Sequence, residues 1–273
     1  MKLAITFALV TGTALAGSAA FAQQKTLYVA GYGGSYEQTM RKEVIPAFEK
    51  QANVKIEYVA GNSTDTLAKL QAQKGNQQID VAIVDDGPAY QAVALGFCGT
   101  LTDGAVYKDV APVMKFKSNK GVGLGLVGTG LFYNKKVFDE NKWPAPTSWN
   151  DLKSKTYGKK IVSPPINNTY GLHALIAFAQ IGGGGETNIE PGFEAFKKDI
   201  NPNIVAYEPS PAKMTELFQN GQAVLGVWGS GRVKALADTG FPVEFVYPKE
   251  GGFALGVAAC PVEGSKNAAE ANA

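Results

Sequence analysis

Between residues 27 and 95 the chain switches three times from a short apolar, β-branched run to a longer amphipathic stretch, and that alternation restricts its fold more than any other feature. Segments 27–30, 54–59 and 80–84 have the composition of strands. Segments 35–50, 63–74 and 88–95 have helical character: Met40, Val44 and Phe48 share one side of the first, Leu67 and Leu70 one side of the second. Strands separated by helices run parallel, with the helices covering the sheet, so a layered α/β unit is predicted.

The middle of the chain changes character. Residues 121–130 are glycine-rich and apolar, and 131–133 lead into Asn134-Lys135-Lys136. Pro144 and Pro146 precede a short helix predicted at 150–153, and a strand at 160–163 meets Pro164-Pro165. A strongly apolar helix at 170–180 stops at four glycines, 182–185. Helices at 193–200, 211–220 and 230–238 alternate with a buried strand at 223–228. Strands at 243–247 and 253–259 flank residues 248–252. This is a second α/β unit, entered near residue 128 and left near 245.

The first 22 residues read as an export signal. Lys2 precedes an apolar run over 3–10, and small residues lead to Ala20-Phe21-Ala22, an A-x-A cleavage site that makes Gln23 the mature start. The run is too short to span a bilayer. No cysteine stands at the cleavage point for lipid attachment, so a soluble protein in the periplasm is expected. With 26 basic and 24 acidic residues the formal charge is +2, which supplies no basic surface for nucleic acid. In that oxidising compartment Cys98 and Cys260 either form one long-range disulfide or sit as two buried thiols. A metal site is not expected, because His173 is the only histidine and no partners stand at ligand spacing. No catalytic residues and no cofactor are expected either: one histidine offers little base chemistry, and no Gly-x-Ser-x-Gly turn occurs.

Several stretches in order resemble the extracytoplasmic solute-binding proteins of ABC importers, in particular the branch holding spermidine/putrescine and ferric-iron binders. They are Tyr32-Gly33-Gly34-Ser35-Tyr36, residues 80–86, Tyr133-Asn134-Lys135, residues 146–152, residues 221–225 and residues 247–252. The resemblance implies an α/β fold of the type II periplasmic-binding-protein class: two three-layer α/β lobes joined by crossover strands. Lobe one would comprise residues 23–128 plus 245–273, and lobe two residues 129–244. A small polar solute would lie in the cleft, and the closed, monomeric protein would be presented to a membrane permease. Relatives of this kind continue past a segment like 261–267 with several helices, so lobe one is expected to be incomplete at its C-terminus.

Ligands of open α/β sheets lie at the carboxyl ends of strands. Tyr32, Ser35 and Tyr36 occupy the first such loop; Ser35 either caps its helix or faces a solute, and the tyrosines offer flat area plus a hydroxyl. Asp85 and Asp86 end the third strand, where one could meet a cation while the other caps the next helix. Asn167, Asn168, Thr169 and Tyr170 stand at the mouth of the apolar helix, whose first amides suit an anionic group. Trp228 either stacks on solute or belongs to the core, and Arg232 either clamps an acid through its planar fork or lies on a helix surface. Glu250 contacts solute or fixes a hinge. Tyr133 is read as a hinge residue, Trp143 and Trp149 as packing, and His173 as a packed or surface side chain.

The inventory favours an amino-bearing or zwitterionic solute, its cation near Asp85 and its acid near Arg232 and the Asn168 helix end. The alternative is a true polyamine, putrescine or spermidine, although Asn167 and Asn168 stand where acidic partners for its amino ends would be needed, and an anionic organic solute also stays open. Iron lacks the adjacent tyrosine pair its binders use late in the chain. A sensory binding module could share the whole fold.

Overall fold

The computed structural model describes residues 24–102, 104 and 106–273. The export signal read at 1–22 lies outside them. Among the described residues nine strands form one mixed sheet: β1 (Lys25–Tyr32), β2 (Val54–Gly61), β3 (Val81–Asp85), β4 (Val122–Asn134), β5 (Ile161–Ser163), β6 (Ile204–Tyr207), β7 (Leu225–Gly229), β8 (Val243–Val246) and β9 (Phe253–Pro261). The order is β2-β1-β3-β9-β4-β7-β5-β6, with β8 pairing β4.

Two parallel groups, β2-β1-β3 and β7-β5-β6, are joined by antiparallel strands. β4 is the link. From Val122 to Thr129 it pairs with β9, and from Thr129 to Asn134 it pairs with β7 and β8. The glycine-rich, apolar run is therefore the strand passing between two lobes. The expected boundary near 128 falls inside β4, and the expected return near 245 falls inside β8.

Ten α-helical segments among the described residues accompany the strands: α1 (Ser35–Thr39), α2 (Ile45–Ala52), α3 (Ser63–Ala72), α4 (Asp86–Ala94), α5 (Lys135–Asn141), α6 (Thr169–Ile181), α7 (Glu190–Ala195), α8 (Pro211–Gln219), α9 (Ser230–Ala237) and α10 (Ala268–Ala271). α1 and α2 form one helical run interrupted by a π-helical turn at Met40–Val44. Pro46 explains the interruption, because it has no N–H to return to the carbonyl four residues earlier. Besides strand β4, helix α5 and strand β6 were not predicted. Helix α5 follows β4 directly, with the Asn134 side chain accepting from the Val137 N–H at 3.2 Å, and it ends at Lys142 in a left-handed conformation. Strand β6 is only four residues long and half exposed, so its apolar run Ile204-Val205-Ala206-Tyr207 is too short to show a strand period.

Each lobe has its own core. In the first, Leu27, Val29, Val54 and Ile56 pack against Ile45 of α2, while Leu70, Ile79 and Ala82 gather around Cys98 and Cys260. Those cysteines are disulfide-bonded, with Cα atoms 5.6 Å apart. In the second, Trp149, Leu152, Phe138 and Ile161 surround α6, which buries Ala174, Leu175, Ala177, Phe178 and Ala179. A helix apolar on nearly all sides belongs inside a lobe. No helix among the described residues is long and apolar enough to cross a membrane.

Candidate functional site

A cavity of about 250 Å³ lies between the lobes, at the carboxyl ends of β1, β3 and β7. This is where the parallel topology leaves loops and helix starts converging on one space. Tyr32, Ser35 and Tyr36 line it from the β1–α1 loop, and Asp85 from the end of β3. Asn168, Thr169 and Tyr170 line it from the start of α6, and Trp228 and Arg232 from β7 and α9. With Asn167, which also lines the space, ten of the residues singled out in the sequence are thus brought together.

Asp86 and Glu250 are not. The Asp86 carboxylate accepts the backbone N–H groups of Gly87, at 2.8 Å, and Gly256, at 3.1 Å, which ties α4 to strand β9. Glu250 accepts the Ser148 hydroxyl and the Trp149 N–H, while the Trp149 indole donates to the Gly251 carbonyl at 2.9 Å. Burial alone would raise the Glu250 pKa, but those hydrogen bonds outweigh it and hold the carboxyl below its usual range. Glu250 fixes the passage from β8 to β9 against the Ser148–Trp149 turn.

Within the cavity the charges are unequally committed. Asp85 is 7% exposed and accepts from the Tyr32 hydroxyl at 2.5 Å and from the Thr169 hydroxyl. Burial raises its pKa, against the hydrogen bonds from Thr169, Tyr32 and Ser63. Burial likewise lifts Tyr32 well above the ordinary phenol value and pushes Tyr170 up to about 12. Glu208 accepts the Ser210 N–H at 2.7 Å. Arg232 is half-buried, and its Nη1 donates to the Gly33 carbonyl at 2.7 Å and the Ser35 hydroxyl at 3.4 Å. No carboxylate lies within ion-pair distance of it among the described residues.

Trp228 is only 4% exposed and packs on Phe132 with ring centroids 5.2 Å apart, so it is a core side chain with one edge on the cavity. Tyr36 meets Tyr32 edge-on at 5.1 Å. His173 is packed: its Nδ1 is 2.8 Å from the Thr129 hydroxyl, its ring stacks on Phe253, and burial lowers its pKa. Tyr133 donates to Glu244 at 2.5 Å between β4 and β8. Trp149 is fully buried and Trp143 packs edge-on against Phe138 and Tyr157.

Sequence reasoning missed Asn62, Ser63 and Thr64 at the start of α3, and Glu208, Ser210 and Pro211 before α8. The first group follows strand β2 and would have been found by the rule that located Tyr32. The second depended on β6. A Ser-x-x-Lys spacing of the kind some hydrolases use does occur at Ser210 and Lys213. Here Ser210 is the N-cap of α8, its oxygen accepting the Lys213 backbone N–H.

The mouth of α6 is set by Gly171. A Cβ there would stand 2.4 Å from the Pro164 carbonyl oxygen and 2.3 Å from that of Pro165. Gly171→Ala is expected to destabilise the protein by about 1–3 kcal/mol and displace Asn168 and Thr169. A chemical-denaturation midpoint indistinguishable from wild type would show that the Pro164-Pro165 loop yields freely.

With a two-lobed α/β sheet and an interlobe cavity in place, the comparisons with known proteins are decisive. The family model for bacterial extracellular solute-binding proteins matches residues 43–273. The chain belongs to that family. It is therefore a bacterial extracellular solute-binding protein. An uncharacterized protein of Haemophilus influenzae is 26% identical over 256 residues, which is 91% of this chain and 70% of that one. Among solved structures, the periplasmic binding protein P5PA superposes with a TM-score of 0.78 at 21% identity, covering 91% of this chain and 78% of its own. AfuA from Actinobacillus pleuropneumoniae, with fructose-6-phosphate bound, gives 0.78 at 23% identity, with coverage of 91% and 76%. AgtB from A. tumefaciens R10, in complex with agropinic acid, gives 0.71 at 21% identity, with coverage of 91% and 75%. At these identities the structures establish the bilobal type II fold.

Proposed function

We propose that this solute-binding protein captures a small organic molecule carrying an acidic group, zwitterions included, and delivers it as a monomer to an ABC permease. In this reading lobe one comprises residues 23–128 and 245–273, and lobe two residues 129–244. The observation that carries the solute class is Arg232. A half-buried guanidinium with no carboxylate partner, lining a cavity of about 250 Å³, is a site waiting for an anion. The start of α6, a thirteen-residue helix, faces the same space, but its Tyr170 amide is already held by the Asn168 side chain, which leaves Arg232 as the main counter-charge.

An amino group at the other end of the solute is optional. The Asp85 carboxylate already accepts two hydroxyls, and Glu208 already holds a backbone amide, so neither is left waiting for a cation. The same commitments weigh against a polyamine, which needs an acidic partner at each end. AfuA and AgtB hold fructose-6-phosphate and agropinic acid, and each of those molecules carries an acidic group.

A thermal-shift panel of sugar phosphates, opines, aminophosphonates, amino acids, organic acids and polyamines tests this, with hits taken to calorimetry. Saturable 1:1 binding of an acid-bearing compound is expected, with about 2.7 kcal/mol of added stability at a hundredfold excess over Kd. Tight binding of putrescine or spermidine with every acid inert would overturn the solute class.

A further inference from the structure

Asp85 occupies the N-cap position of α4, where an aspartate ordinarily accepts a backbone amide of its own helix. It does not do so: no side-chain cap hydrogen bond is made there, although the residue has the extended conformation of a cap. Its side chain reaches instead toward the other lobe. One oxygen takes the Tyr32 hydroxyl from lobe one at 2.5 Å, and the other takes the Thr169 hydroxyl from the first residue of α6 in lobe two. The Asp85 backbone N–H is meanwhile held by the Ser63 hydroxyl at 2.9 Å, so the carboxylate is anchored firmly to lobe one.

Other contacts cross the same seam. Arg232 on α9 donates to the Gly33 carbonyl and the Ser35 hydroxyl, and the Thr64 hydroxyl donates to the Asn167 carbonyl at 3.3 Å. These too join protein to protein. The Asp85 contact differs from the others in being made by a buried, charged acceptor that has given up a local role to make it.

We propose that Asp85 is a closure tie: through Thr169 it holds the two lobes together before any solute arrives, and it acts as a positioning residue for the cavity and not as a solute contact. Two consequences follow from the geometry. The closed form is populated without solute, so a solute selects it instead of creating it. And Asp85, standing in front of the α6 helix start, occupies the negative position there, which directs a solute's acidic group toward Arg232.

The tie is independent of which solute the protein carries, and its test requires none. Single-molecule FRET between dyes at the exposed positions Gln51 and Lys197 reads the lobe separation in the solute-free, full mature chain. Wild type is expected to show a closed population. Thr169→Val, which keeps the side-chain shape and removes the hydroxyl, should lower the closed-to-open ratio about tenfold or more, in line with loss of a hydrogen bond to a charged group. Asp85→Asn should lower it by a similar factor, and the double variant should be no more open than either single one. Thr169→Val carries the result if the Asp85 variant fails to fold. An entirely open wild type, an unchanged Thr169→Val, or fully additive effects would each overturn the tie. If Asp85 instead meets a solute cation, Asp85→Asn alters affinity in the calorimetric panel and leaves the solute-free distances unchanged.

Discussion

Replacing Arg232 with alanine is expected to weaken binding of the acidic solute by about a hundredfold or more. The estimate comes from what the side chain is positioned to do. Hydrogen bonds to charged groups contribute about 1.5–3 kcal/mol each, and a planar guanidinium can present two of them to one acid. With 1.4 kcal/mol per decade of affinity, losing both leaves about two or more decades. Arg232 also donates to the Gly33 carbonyl across the lobe seam, so its loss removes one closure contact together with the counter-charge. Arg232→Lys separates the two contributions. A single ammonium keeps the charge but does not reproduce a fork that holds Gly33 and an acid together, and only partial recovery is expected. Folding should survive both changes, because α9 is anchored by buried Val233 and Leu236 on its other side. Calorimetry on the folded variants is the measurement. An affinity within threefold of wild type would remove Arg232 from the site, and with it the case for an acidic solute.

The sequence carried the positions of the cavity residues better than their roles. Tyr32, Asp85 and Trp228 were legible because each ends a strand, and strand ends in a parallel sheet are forced to one edge. That logic depends on recognising the strand. β6 has four residues with alternating exposure, so Glu208 and Ser210 behind it went unread. The roles are set by distant partners. Nothing local to Asp85 announces Thr169, 84 positions away, as the group that engages its second oxygen. Asp86 is the converse case. It shares its neighbour's chemistry, but the direction of the chain turns its carboxylate onto the amides of Gly87 and Gly256. Trp228 had the right place at the cavity wall, yet the packing of Phe132 against it was visible only in three dimensions. Short-range pattern thus fixes which residues reach the cleft edge, while long-range packing decides which of their polar groups remain for a solute.

Removing the Cys98–Cys260 bond should change stability strongly and solute affinity hardly at all. The two cysteines are separated by 162 positions, and the loop they close contains the whole of lobe two. Cross-linking so long a segment restricts the unfolded chain, and for loops of this size chain-entropy reasoning gives a limit of about 5 kcal/mol, with measured losses for native bridges of about 2–5 kcal/mol. The bond lies where strand β9 returns beside β3, with Cys260 opposite Ala82 in the sheet and Cys98 bridging to Val262. Both cysteines are essentially buried, so alanine is the better replacement: serine would add the cost of an unpaired buried hydroxyl. The double alanine variant is expected to melt lower by about 5–15 °C. Its denaturant midpoint should fall correspondingly, with the slope altered because the unfolded chain expands once it is no longer cross-linked. Neither cysteine lines the interlobe cavity, and Asp85, Thr169 and Arg232 keep their supports when the bond is gone. Affinity of the folded variant should therefore stay within about twofold. A stable variant with weakened binding would reverse the assignment, making the bond a device that sets the angle of β9 beneath the cavity instead of one that limits the unfolded chain.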